Sequence, residues 1–229
     1  MRRTGSDMLN GTQGTRDTYG DALTLVFAKA PRAGTVKTRL IPLLGAEGAA
    51  ALHRKLLAQT LATVVAADLG PVELHGAADD GDTYLSELAR RQGVVLAPQT
   101  GANLGTRMCR AFSEALARHA HVIIVGTDCA VLEARHLREA SAALHEGNDA
   151  VFIPAEDGGY ALIGLTQCDV LLFDGIAWGT DSVMEATRTR LKQLGWRWHE
   201  LETLWDIDRP EDYRRWSELV QIDAGKHLA

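Results

Sequence analysis

Leu23-Thr24-Leu25-Val26-Phe27-Ala28-Lys29-Ala30-Pro31-Arg32-Ala33-Gly34-Thr35-Val36-Lys37-Thr38-Arg39-Leu40 is an apolar run that empties into a loop with four cations, one Pro and one Gly. A helical pattern follows from about Glu47. A strand that delivers a basic turn ahead of a helix is where α/β proteins hold phosphates, because backbone N–H groups and fixed cations converge there. The loop fails as a P-loop: Val36 precedes Lys37, and the required upstream Gly is missing. It also lacks G-x-G-x-x-G. Lys29, Gly34, Lys37 and Arg39 still form a candidate phosphate site, the lysines as point charges and Arg39 as a bidentate fork. The bland alternative is a solvated surface loop.

Outward from this stretch, strands and helices alternate. Strands are expected at 23–28, 71–76, 94–97, 121–125, 150–154, 160–165 and 196–200. Helices are expected at 47–67, 83–91, from the 101–105 turn to about 119, 135–145, 180–194 and 210–218. Turns fall at Asp79-Asp80-Gly81-Asp82 and at Glu156-Asp157-Gly158-Gly159. Thr180 or Asp181 is placed to cap the fifth helix, and Pro210 opens the sixth. The alternation implies an α/β fold with a mostly parallel sheet covered on both faces. Two consecutive strands near 150–165 predict an antiparallel insertion. One domain is expected over 21–220, with a flexible arm at 1–20 and a tail at 221–229.

The chain has 229 residues, is 46% hydrophobic and carries a net charge of −6. An acidic protein has no general pull toward nucleic acid or anionic membrane, so the basic loop reads as a local site. No apolar run reaches membrane-spanning length. Cys109, Cys129 and Cys168 are odd in number and form no CxxC, which argues against a disulfide framework or zinc and suits a cytoplasmic setting. All five tryptophans fall in the last quarter; Trp178 and Trp205 are candidates to line a pocket, core packing being the alternative.

The carboxylates are the other half of the site. Asp128 in Gly126-Thr127-Asp128-Cys129 ends an apolar strand, where ligands of open α/β sheets gather; it reads as a helix cap or a Mg²⁺ or Mn²⁺ ligand. Asp206 and Asp208 flank Ile207, so an extended chain points both to one side, toward a metal site begun by Asp128. Asp208 is also placed to cap the helix opened by Pro210. Asp157 in Asp157-Gly158-Gly159 reads as a hairpin turn, or as a base or sugar-hydroxyl ligand. Asp181, in Trp178-Gly179-Thr180-Asp181-Ser182, reads as a cap or a general base. The turn from Gln99 to Met108, with Asn103 and Gly105, offers polar groups to a base or ribose.

Together these segments resemble the bacterial GT-A-type glycosyltransferase-like family of the nucleotide-diphospho-sugar transferase superfamily, some members of which are labelled arsenosugar-biosynthesis glycosyltransferases. The likeness runs from about Leu23 to Trp216 through the pattern F-A-K-x-P-x-x-G-x-V-K-T-R-L, Gln99 to Met108, Gly126 to Cys129, Asp157 to Leu165, Trp178 to Asp181 and Asp206 to Asp212. It implies a Rossmann-like three-layer α/β/α sandwich, a divalent metal, and Asp128 in the place of the DxD-type acidic residue. Two departures stand out. Ala130 replaces the Pro of G-T-D-C-P, and Ala102-Asn103-Leu104-Gly105 replaces Gly-Asp-Leu-Gly, which removes a charge at Asn103.

The implied activity is metal-dependent sugar transfer from a nucleotide-diphosphate donor to a small-molecule acceptor. Lys29, Gly34, Lys37, Arg39, Asn103 and Gly105 would face the nucleotide and its phosphates. Asp128, Asp206 and Asp208 would hold Mg²⁺ or Mn²⁺, and Asp157 or Asp181 would act on the acceptor. The Pro-x-x-Gly-x-x-Lys-Thr-Arg-Leu and Asp-Ile-Asp-x-Pro-Glu-Asp segments also look like phospholactate guanylyltransferases, which take a nucleoside triphosphate and release pyrophosphate. A nucleotide-binding module without catalysis is the third reading. A homodimer is compatible with the chain.

Overall fold

β1 (Ala22–Ala28) buries every residue, the condition of a central parallel strand covered on both faces. It pairs in parallel with β2 (Val72–Ala77) on one side and β4 (His121–Val125) on the other. β3 (Val95–Gln99), β5 (Ala150–Pro154), β6 (Tyr160–Leu165) and β7 (Trp198–Glu200) complete a seven-stranded sheet of order β3-β2-β1-β4-β6-β5-β7. Of these strands β6 alone runs antiparallel, inserted between β4 and β5 as the 150–165 hairpin predicted. Pro98 lies on β3, at the sheet's edge, where its missing N–H costs no ladder bond.

Alternation along the strands sorts the core into two layers. Ala22 and Val26 face α1 (Ile41–Ala67), α2 (Tyr84–Gln92) and α4 (Ala134–His145), through residues such as Leu57, Leu61, Leu88 and Leu144. Leu23, Leu25 and Phe27 face α3 (Leu104–Leu116) and α5 (Val183–Leu194), through Met108, Phe112, Met184 and Leu191. The result is the expected three-layer α/β/α sandwich. A third cluster, Leu40, Leu52, Leu56, Trp205 and Ile207, joins α1 to α6 (Pro210–Lys226) at one end of the sheet.

The computed structural model describes residues 22–77 and 83–226, with side chains to 221. The expected arm at 1–20 and the Asp79–Asp82 turn lie outside the described residues. α1 begins at Ile41, earlier than expected, and breaks at Gly45 (φ 70°, ψ 166°), so the expected start near 47 matches its second part. α5 begins later. Thr180 Oγ1 donates to the Ala177 carbonyl, and Ser182 holds the N-cap position without a side-chain bond, so neither Thr180 nor Asp181 caps it. α6 continues past 218 into the expected tail. Single 3-10 turns at Thr38–Leu40 and Val170–Leu172 were not expected, because three residues carry no periodic signal. Among the described residues no helix is long and apolar enough to cross a membrane.

Gly164 on β6 shows how tightly the layers meet. A Cβ there would lie 2.7 Å from Val151 Cγ1 and 3.1 Å from Leu144 Cδ1. Gly164→Ala is expected to destabilise the fold by about 1–3 kcal/mol through overpacking. Thermal denaturation would show this as a fall in Tm, and an unchanged Tm would contradict the packing described.

Candidate active site

β1 feeds β2 on one side, while β4 lies on its other side, so the strand order reverses between β1 and β4. Crevices at the carboxyl ends of strands at such a switch point are the usual ligand sites of open α/β sheets. Here the loop after β1 and the Gly126–Thr127–Asp128 turn after β4 border a cleft of about 530 Å³. Its cationic wall is Lys29, Lys37, Arg39 and Arg107, with His53, Gln99 and Asp128 around the floor.

Lys37 is the pivot. It adopts a left-handed conformation (φ 48°, ψ 40°), uncommon for a residue with a Cβ, and this turns the loop into the Thr38–Leu40 helical turn. Leu40 then locks into the third apolar cluster. The Lys37 side chain is only 2% exposed, and Nζ reaches Asp128 Oδ1 at 2.6 Å. It also donates to the Ile207 carbonyl. An ammonium so enclosed needs both partners, because an unpaired buried charge costs several kcal/mol.

The segment 201–208 crosses the strand ends as a strap. Leu201 N–H donates to Phe152 O at 2.9 Å, Leu204 N–H to Pro154 O at 2.9 Å, and Ile207 N–H to Asp128 O at 2.9 Å. Ile207 is fully buried, and its neighbours Asp206 and Asp208 both border the hollow on the far side of the strap. Asp208 forms an ion pair with Arg39. The free N–H groups of Asp208 and Arg209 donate instead to Asp212 Oδ2, at 3.1 and 2.7 Å.

A second hollow of about 470 Å³ shares Arg39 and Asp208 with the first, so the ion pair stands on their common wall. This side is acidic, with Glu156, Asp157, Asp181, Asp206 and Asp212. Asp206 is the strained member: burial above all, then the Asp128 carboxylate, pushes it up to about 7, with Asp157 and Asp208 acting in the same direction. Its Oδ1 is buried without a hydrogen-bond partner. An orphaned carboxylate oxygen among other carboxylates suits a divalent cation. Yet among the described residues no three such side chains gather closely enough to hold an ion as they stand. Asp128 and Asp208 are instead engaged by Lys37 and Arg39.

Asp157 Oδ1 accepts from Gly159 N–H at 2.9 Å, so the hairpin-turn reading and a place in the acidic hollow both hold. Gly158 lets this turn dock on the Asp181 loop. With φ 88°, it sits where a Cβ would come 2.0 Å from Asp181 O, and its carbonyl accepts from Met184 N–H at 2.8 Å. Asp157 and exposed Asp181 therefore share one wall. Arg215 pairs with Glu156 at 2.8 Å and covers a face of the Trp205 ring, 4.2 Å from its centroid, so that indole face is not open to a ligand.

Three expected nucleotide contacts sit elsewhere. Asn103 caps α3, its Oδ1 accepting from Thr106 N–H at 2.9 Å. It and Gly105 border a different pocket, beside Trp178. Gly105 is packed there because a Cβ would lie 2.6 Å from Trp178 Nε1. Gly34 (φ 83°) makes the turn of the loop and does not border the cleft. His53 was missed. Its Nε2 lies 3.0 Å from the Lys29 carbonyl, so Nε2 carries the proton, and burial holds the ring below the ordinary histidine value. The only sequence signal is its place with Ala49, Leu56 and Thr60 on the buried face of α1.

Several solved structures share this fold. A protein from Desulfovibrio desulfuricans G20, provisionally named a nucleotide-diphospho-sugar transferase, is 28% identical with a TM-score of 0.76, covering 83% of each chain. The 4-diphosphocytidyl-2C-methyl-D-erythritol synthase of Anaerococcus prevotii DSM 20548 is 11% identical with a TM-score of 0.59, over 88% of this chain and 96% of that one. Glucosyl-3-phosphoglycerate synthase from Mycobacterium tuberculosis, solved with Mn²⁺, UDP and glucosyl-3-phosphoglycerate, is 10% identical with a TM-score of 0.53, over 85% and 74%. At such identities the last two speak to fold alone. No curated protein matches the chain. The model of a bacterial family, DUF2064, described as "Uncharacterized protein conserved in bacteria", matches residues 60–180, just over half of the sequence, and the chain belongs to that family.

Proposed function

We propose that the protein is a transferase that moves a sugar from a nucleotide-diphosphate donor to a small hydroxylic acceptor, with Mg²⁺ or Mn²⁺ in the site. The observation that carries this reading is the pairing of a cationic cleft with an acidic hollow across the Arg39–Asp208 ion pair at the sheet's switch point. It draws further support from the fold shared with the Desulfovibrio protein and with a synthase that binds Mn²⁺ and UDP.

In this reading Lys29, Lys37 and Arg39 receive the donor phosphates, and Arg107, Gln99 and His53 wall the cleft behind them. Asp128, Asp206 and Asp208 would hold the cation, whose chemistry is to neutralise charge on the departing nucleoside diphosphate. Asp157 or Asp181 binds the acceptor hydroxyl and takes up its proton. Asn103, Gly105 and Gly34 shape the surrounding loops. Without ligand, Lys37 offsets Asp128 and Arg39 offsets Asp208. A diphosphate with its cation is also a matched pair, so it can replace both contacts at once: phosphates take the cationic side chains, and the carboxylates turn to the metal.

Two experiments test this. With Mn²⁺, a panel of sugar nucleotides and a panel of nucleoside triphosphates, the expected product is a nucleoside diphosphate from one sugar nucleotide, lost on chelation. Pyrophosphate released from a triphosphate would establish nucleotidyl transfer instead, and binding without turnover, even with acceptors, a non-catalytic module. Asp128→Asn keeps an acceptor for Lys37 but removes a charge. It is expected to lower metal-dependent nucleotide affinity by about 10-fold or more, as measured by titration calorimetry. Unchanged affinity and metal dependence would remove Asp128 from the site.

A further inference from the structure

Two of the three cysteines meet in the fold although 59 residues separate them. Cys109 sits on the second turn of α3, and Cys168 lies between β6 and the Val170–Leu172 turn. Their sulfurs are 3.8 Å apart, and the Cys168 thiol also reaches the Cys109 carbonyl at 3.6 Å. A disulfide requires about 2.05 Å between sulfurs, so they must close by about 1.8 Å. Both residues are half-buried, and Cys109 lines a pocket of about 410 Å³ with Trp178, Phe173 and Arg110, so small solutes reach it. Cys129 differs: it is buried in the core layer on the opposite face of the sheet, and burial pushes its thiol up to about 12.

We propose that Cys109 and Cys168 form a reversible thiol–disulfide pair, oxidised by a hydroperoxide, that staples α3 to the chain leaving β6. The Cys109 thiolate attacks the peroxide, the O–O bond breaks, and Cys109 becomes a sulfenic acid with release of hydroxide (or alkoxide). The Cys168 thiol then attacks that sulfur; the S–O bond breaks, the S–S bond forms and water leaves. Two electrons pass from the two sulfurs to the peroxide oxygens. Cys109 borders the pocket and Cys168 does not, and burial pushes the Cys168 thiol up to about 12, so Cys109 is the sulfur that meets the peroxide first. The staple ties down the wall formed by Phe173 and Trp178, against which Gly105 at the start of α3 is packed. This site is independent of the transfer reaction proposed above.

The test uses the full-length protein treated with hydrogen peroxide, alkylated at its remaining thiols and mapped without reduction. The expected result is one intramolecular Cys109–Cys168 link, a single alkylated thiol at Cys129, and reversal by a reductant. The link persists in Cys129→Ser and is lost in Cys109→Ser and in Cys168→Ser. The oxidised wild type also melts higher than the reduced form, because the cross-link restricts the unfolded chain. Sulfinic acid at Cys109 beside a free Cys168 thiol, or only intermolecular dimers, would overturn the proposal. That result can be read on the wild type alone, whatever the variants do.

Discussion

The site depends on one enclosed ammonium group. Lys37 Nζ lies between Asp128 Oδ1 and the Ile207 carbonyl. A lysine buried this far must be paired and hydrogen-bonded, or it gives up its proton or unfolds the loop. Those two partners come from well-separated parts of the sequence: the turn after β4 and the strap before α6. One side chain therefore gathers the loop after β1, the end of β4 and the strap into one wall. The left-handed backbone at Lys37 and the buried Leu40 and Ile207 beside it are the local conditions that let it reach both.

The same knot explains the electrostatics. Asp128 and Asp208 are engaged by cations, while Asp206, packed between carboxylates and burial, has an oxygen with no partner. The neighbouring carboxylates are tolerated because Lys37 and Arg39 offset Asp128 and Asp208, while the raised pKa of Asp206 lowers its share of the charge. In the proposed reading the arrangement exchanges partners, since an incoming anion and an incoming divalent cation would each relieve what the other would leave unpaired. Neither alone does so: phosphate would strip cations from Asp128 and Asp208, and metal would strip carboxylates from a buried Lys37. The non-catalytic and catalytic readings share this logic and differ only in whether an acceptor completes the reaction.

Much of this was legible in the sequence, for physical reasons that vary by residue. The central strands were readable because burial on both faces leaves a nearly continuous apolar run, as in β1 and β4. Asp206 and Asp208 were readable because strand-like alternation around Ile207 fixes their side. Pairing across long separations was not legible. Nothing near Lys37 says that its charge is spent on Asp128, or near Arg39 that its partner is Asp208. Asn103 looked like a ligand because a capping box and a binding turn use the same polar residues at a helix start. His53 was hidden as one polar residue on an apolar helical face, and the meeting of Cys109 with Cys168 was hidden by the fold between them.

The most direct test of the charge-exchange account is a pair of linked titrations: Mn²⁺ affinity measured with and without a saturating nucleoside diphosphate, and the nucleotide affinity measured with and without Mn²⁺. The nucleotide is one for which binding to the protein has been established, and Mn²⁺ complexation by free nucleotide is accounted for. The account predicts strong and reciprocal coupling, each ligand raising the affinity of the other by about 10-fold or more. Equal Mn²⁺ affinity in the presence and absence of the nucleotide would contradict it, because Asp128 and Asp208 would then be available to metal without release of Lys37 and Arg39.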